Sequence, residues 1–162
     1  PPHQPETLIA RFEGQLAAML TKVGWLGEAG LRLPPPGGTL APLQVVCHLR
    51  DVDREVNLPR LKSFLEKDDP FFSSVDTDNW IQERDYLHED SAGAIAGFVA
   101  VRQQRTAALR ELTPAQWQRR ARHSLLGPIT LKDWIAVLAE HDLRHVAQVH
   151  APQARSPSAD SA

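Results

Sequence analysis

Apolar residues in this chain recur at intervals of three and four in four separate segments, and no run of β-branched residues alternates convincingly for a strand. A helix turns once in about 3.6 residues and buries one stripe at that spacing, so the pattern selects an all-α fold. The first segment, about Pro5 to Leu26, repeats at Leu8, Phe12, Leu16, Met19 and Val23. The second begins near Pro42, a proline suited to a first helical turn, and buries Val45, Leu49, Val52 and Val56. Pro59 is expected to bend or end it, because proline brings no amide hydrogen. The third runs from about Ser91 to Leu112 on Ile95, Phe98, Val99 and Leu109. The fourth opens at Thr130-Leu131-Lys132-Asp133 with Thr130 as N-cap, and buries Leu131, Trp134, Ile135, Leu138, Val146 and Val149. Four helices of about 20 residues predict a four-helix bundle with long inter-helix connections.

The connections are legible as breaks in the period. Pro34-Pro35-Pro36-Gly37-Gly38 cannot continue the first helix. Asp68 to Asp90 holds no sustained period, so a long connection is expected there, with room for a helical turn from Trp80 to Leu87. Thr113-Pro114-Ala115-Gln116 offers a capping box for a short turn carrying Trp117, and a loop through Gly127-Pro128 leads into the fourth helix. Residues 1–150 are thus expected to form a single domain, and the Ala/Ser/Pro-rich residues 151–162 a disordered C-terminal tail.

Composition removes several function classes. Eighteen Lys and Arg against 20 Asp and Glu give a net charge of -2, which offers no electrostatic footprint for nucleic acid or an anionic membrane. No apolar stretch reaches the roughly 18 residues of a membrane span, and the first residues lack the charged and apolar regions of a signal peptide. The single cysteine, Cys47, excludes an internal disulfide and any Cys₄ or Cys₂His₂ zinc site. The expected location is the cytoplasm.

The chemistry is concentrated in histidines. His141-Asp142-Leu143-Arg144-His145 sets two imidazoles four residues apart, on adjacent turns of one helix face, where they can grip one ion. The motif lacks the Glu of His-Glu-x-x-His, so the metalloprotease arrangement is absent. His48, on the edge of the second helix's apolar stripe, is the most economical third ligand. Three neutral imidazoles suit a borderline divalent ion, Zn, Ni, Fe or Mn, and leave positions open for water or substrate.

Other residues carry two readings each. Asp51 and Glu55 can orient a bound water or form a solvated acidic edge. Arg102 lies on a core-facing stripe, with Asp142 as a candidate ion-pair partner and binding of an anionic substrate group as the functional alternative. Gln148 shares a face with His141, and His123 precedes the fourth helix near enough to reach a pocket. Cys47 points about 100° away from His48 and reads as a small core residue. His3, His88 and His150 look incidental, and the four tryptophans read as packing residues.

Four motifs together resemble the DinB-like, or YfiT-like, metalloenzymes, which include bacillithiol transferases. They are Val46-Cys47-His48-Leu49-Arg50-Asp51, Phe98-Val99-Ala100-Val101-Arg102, Gly127-Pro128-Ile129-Thr130-Leu131 and His141-Asp142-Leu143-Arg144-His145-Val146-Ala147-Gln148, and the resemblance spans roughly Leu8 to His150. It implies a four-helix bundle of that type, one divalent metal on His48, His141 and His145, and commonly a homodimer. Many relatives carry a tryptophan shortly before the second-helix histidine, where this chain reads Thr39-Leu40-Ala41-Pro42. The implied activity is transfer of a low-molecular-weight thiol to an electrophile, in detoxification or stress response. The alternatives are a metal-dependent hydrolase and a non-catalytic, stress-related metal-binding interaction protein.

Overall fold

The computed structural model describes residues 3–149, so the expectation for residues 151–162 lies outside the described residues. Four long helical segments make the bundle. They are α1 (Pro5–Gly24), a second segment built from α3 (Pro42–Val52), a π-turn (Asp53–Asn57) and α4 (Leu58–Glu66), then α6 (Ser91–Arg110) and α8 (Leu131–Gln148). Between them lie short elements: α2 (Glu28–Leu31), α5 (Trp80–Glu83), a 3₁₀ turn (Tyr86–His88) and α7 (Pro114–Trp117). The apolar stripes read from the sequence face inward, with Leu8, Phe12, Met19 and Val23 of α1 and Leu131, Trp134, Ile135 and Leu138 of α8 all buried. On α6 the buried stripe is Ala94, Phe98, Val101, Arg102, Arg105 and Leu109, rotated slightly from the expected one, so Ile95 and Val99 are half-buried.

The caps form where the sequence places them. Thr130 accepts from the Asp133 amide at 3.1 Å, and the Thr113 hydroxyl and Gln116 side chain close a reciprocal box around α7. Two apolar clusters fill the bundle. One joins Leu8, Phe12, Leu61, Phe64, Trp134 and Ile135, and the other joins Met19, Leu43, Leu49, Tyr86, Phe98 and Val146. Trp117 and Trp134 belong to the first, whereas Trp25 is 72% exposed and does not pack as expected.

Pro59 does not end the second helix. The Leu58 amide reaches back five residues to the Asp53 carbonyl, and this widened turn delivers Pro59 into the first turn of α4. A π-turn leaves a carbonyl without its α-type partner, which is where a residue lacking N–H fits at least cost.

A small three-stranded sheet was not expected. Here β1 (Phe71–Phe72) pairs in parallel with β2 (Arg120–His123), and β2 pairs antiparallel with β3 (Gly127–Thr130). These strands are shorter than the five or six residues typical of strands, too short for alternation to show above the helical signal. Gly127, at φ +69°, supplies the left-handed residue that the β2–β3 turn requires. The sheet pins the long second connection against the bundle, through Arg122 N to Pro70 O at 2.8 Å and Ser124 N to Phe72 O at 3.0 Å. Among the described residues no helix is long and apolar enough to cross a membrane.

Candidate metal centre

His48 leaves the middle of α3 on its buried side and is fully enclosed, at 0% exposure. His141 and His145 leave α8 one turn apart, as their spacing requires. One ring nitrogen from each of the three lies within 4.8 Å of the others, and the Nε2 atoms of His141 and His145 are 3.1 Å apart. The His48 and His145 rings stand 4.9 Å apart between centroids, and those of His141 and His145 4.5 Å. The pairing of second and fourth helices expected from the sequence therefore brings the three histidines together.

Two observations test whether this donor set suits an ion. Both ring nitrogens of His48 are buried with no hydrogen-bond partner among the described residues, an arrangement that costs free energy unless something else ligates them. Nδ1 of His145 is 2.7 Å from Oε1 of Gln148, a carbonyl oxygen that only accepts, so the proton is held on Nδ1 and Nε2 presents its lone pair inward. Burial, followed by the neighbouring His145, brings His48 down to about 4, and burial followed by His141 also lowers His145. Both rings are accordingly neutral at neutral pH, the form in which imidazole binds metal. The donors fit a divalent ion of the borderline class.

Behind the histidines lies a buried charge network that the sequence reading saw only in part. Arg102 pairs with Asp142, as anticipated, but also lies 3.0 Å from Asp53 through Nε. Arg105 donates to Asp53 and Asp142 at 2.8 Å each, and Asn57 donates to Asp53 at 2.8 Å. Burial alone would raise Asp142, yet Arg102 and then Arg105 hold its carboxyl well below the usual range. Its Oδ1 is 3.7 Å from Nδ1 of His141, so the network stands directly against one of the three histidines. Asp53 and Arg105 were missed because charged residues on an apolar stripe read as interruptions until their partners on other helices are known.

Asp51 and Glu55 do not face the centre as free acids. Asp51 accepts from Arg50 Nε at 2.8 Å, Arg84 Nη1 at 2.9 Å and Tyr86 OH at 2.9 Å, while Glu55 is taken up by Arg84 at 2.5 Å. Burial pushes Asp51 upward, but those three donors outweigh it and hold the carboxyl below its ordinary value. Beside Asp142, a second acid approaches the centre: Asp78, from the connection before α5, which comes within 3.7 Å of His48 Nε2. Only the fold, not spacing, could have found it.

A cavity of about 240 Å³ adjoins the cluster on the His141 side. Val52, Val56, Trp134 and Leu138 form much of its wall, with His123 and Arg60 among its polar residues. His123 thus does reach the pocket, from β2 and not from a loop. Cys47 is fully buried in the second apolar cluster, as its direction from His48 predicted.

A search of curated protein sequences finds no match. Among solved structures the chain is similar to YfiT from Bacillus subtilis, described as a probable metal-dependent hydrolase with an unusual four-helix bundle topology. The TM-score is 0.77 at 26% identity, covering 92% of this chain and 85% of that one. The sequence profile of the DinB superfamily matches residues 11–149, a span that takes in most of α1, the other three helical segments and the three histidines. With helices, histidines and profile in agreement over that span, the chain belongs to the DinB superfamily.

Proposed function

We propose that this protein is a divalent-metal-dependent enzyme that transfers a low-molecular-weight thiol to an electrophile. The observation that carries the reading is a three-histidine cluster bordering a largely apolar cavity that no cysteine or carboxylate of the described residues lines. Cys47 is enclosed elsewhere, and burial followed by the Glu89 charge pushes its thiol up to about 12. The acids nearest in sequence to His48 are committed to Arg50, Arg84 and Tyr86. In this reading the nucleophile arrives with the substrates. A bound divalent ion supplies a Lewis acid that lowers the proton affinity of a thiol or of water.

The residues of the chain divide the remaining work. His141, 26% exposed in its side chain, marks the boundary between cluster and cavity. The valine, leucine and tryptophan walls offer an organic substrate an apolar surface, and Gln148 fixes the His145 tautomer. In the transfer itself the thiol sulfur forms a bond to carbon as the leaving group departs with its electron pair, and the thiol proton passes to solvent. A second reading, hydrolysis with water in place of thiol, is favoured by the description of YfiT.

The test begins with elemental analysis of protein purified without a His tag, for wild type beside His48→Ala, His141→Ala and His145→Ala. Near-stoichiometric metal lost in each folded variant is expected. A wild type that binds no Zn, Ni, Mn or Fe after reconstitution overturns the metal centre. Mass analysis of products from thiols mixed with electrophiles then separates the readings, since a thioether adduct supports transfer and a hydrolysed electrophile supports the second reading.

A further inference from the structure

His123 is held in one protonation state by its own hairpin. Its Nδ1 accepts from the backbone amides of Leu125 at 3.1 Å and Leu126 at 3.3 Å. A nitrogen that accepts two N–H groups carries no proton, so the ring proton sits on Nε2, and no described residue bonds to that atom. Burial, and then the charge of Arg60, lower the His123 value further, which keeps the ring neutral and its Nε2–H a fixed donor.

Arg60 borders the same cavity. One of its nitrogens donates to the Ser73 carbonyl at 2.5 Å and its guanidinium lies 5.4 Å from the centre of the Phe72 ring, so the side chain is positioned. No carboxylate of a described residue pairs with it, unlike the buried Arg102 and Arg105, which share two aspartates. Burial lowers its value, the mark of a cation short of compensating charge. The cavity is bordered by no acidic residue, and most of its remaining lining is aliphatic or aromatic.

We infer that Arg60 and the Nε2–H of His123 form an anion-recognition subsite in this cavity, which takes the carboxylate of a small organic acid whose apolar body lies against Val56, Trp134 and Leu138. One positioned guanidinium and one neutral donor suit a carboxylate, for which Arg forks are shaped, while Arg144, which also borders the cavity, is exposed and is held by no hydrogen bond or ion pair among the described residues. The volume of about 240 Å³ falls below the roughly 300–1,000 Å³ of pockets for drug-sized ligands, so the acid is small. This rests on the cavity being the substrate space of the proposed metal centre, and it names the electrophile's class as a short apolar monocarboxylate.

The experiment is calorimetric titration of the full chain with hexanoate, hexanol and hexyl phosphate, on metal-loaded and on chelator-treated protein. Hexanoate is expected to bind at least about tenfold more tightly than hexanol in both forms, as a charge-assisted pair at a positioned arginine should give. In Arg60→Met that preference should vanish while hexanol binding stays, and Arg60→Lys should restore part of it. Equal affinity for hexanoate and hexanol in the wild type overturns the inference without need of any variant, as does failure of hexanoate to bind. Tighter binding of hexyl phosphate than of hexanoate overturns the assignment to a monocarboxylate. Hexanoate binding seen only with metal present also overturns it, by placing the carboxylate on the ion, and leaves the metal centre standing. Failure of the metal centre, in turn, is read from metal content alone.

Discussion

Gln148 and His145 form a hydrogen-bonded pair one turn apart at the end of α8, with 2.7 Å between Oε1 and Nδ1, so the last turn of the helix sets the orientation of a ligand ring. Partners of this kind typically change metal affinity by about 10–100-fold when removed. Gln148→Leu is therefore expected to weaken metal binding within that range, measured by competition with a chromogenic chelator, while thermal unfolding of the metal-free protein stays close to wild type because Gln148 is exposed. An unchanged affinity would mean that the pair does not steer the ring.

Asp142 sits between two buried guanidiniums, and its replacement leaves both short of one counter-charge. Breaking a buried ion pair by removing one partner costs about 3–5 kcal/mol. Urea unfolding of Asp142→Asn should show a loss of that order, whereas Glu140→Gln, whose carboxylate pairs with Arg11 at the surface, should lose far less. A small loss at Asp142 would show that Asp53 alone satisfies both arginines.

Asp51 gives the protein an acid-sensitive contribution. Its folded value is depressed below the ordinary 3.8, so its stabilisation is complete above that value and is lost as pH falls through the depressed folded value. The stability gap between wild type and Asp51→Asn should be constant from neutral pH to about 5 and should shrink as the pH is lowered below 4. Denaturant curves across that range measure it, and a gap that widens on acidification would reverse the sign of the assignment.

Cys47 should be inert in the folded protein. Its thiol is buried and raised to about 12, so an aromatic disulfide reagent should react only upon unfolding. Cys47→Ala is expected to keep its metal and to retain thiol-transfer turnover within about twofold, since the sulfur that reacts belongs to the substrate. Loss of turnover with metal retained would assign the nucleophile to the chain.

What the sequence disclosed depended on how locally each feature is encoded. The helices were legible because their stripes repeat within one segment, and the histidine pair because four residues make one turn. His48 joined them by a weaker argument, its place on a stripe edge, and the fold brought it in. Asp53, Arg105, Asp78 and Arg60 were not legible, because what each does depends on a partner 13 to 52 residues away or on a connection with no period. The sheet was hidden for a related reason: β1 and β2 lie about fifty positions apart and are stabilised by each other, not by their own composition.

The π-turn in the second helical segment shifts the residue count along that segment by one. It accommodates one position more than an unbroken α-helix would hold, so the chain before and after Asp53–Asn57 runs in two angular phases offset by about 100°. His48 is set by the first phase, and Leu61 and Phe64, which join the core, by the second. Excising one residue of the turn would close the segment into an unbroken α-helix that leaves the histidine and the two core residues on their present faces, whereas adding a residue to either half would turn one set about 100° away from the other. Counting residues along this helix at a constant angle of about 100° therefore misplaces one half of it.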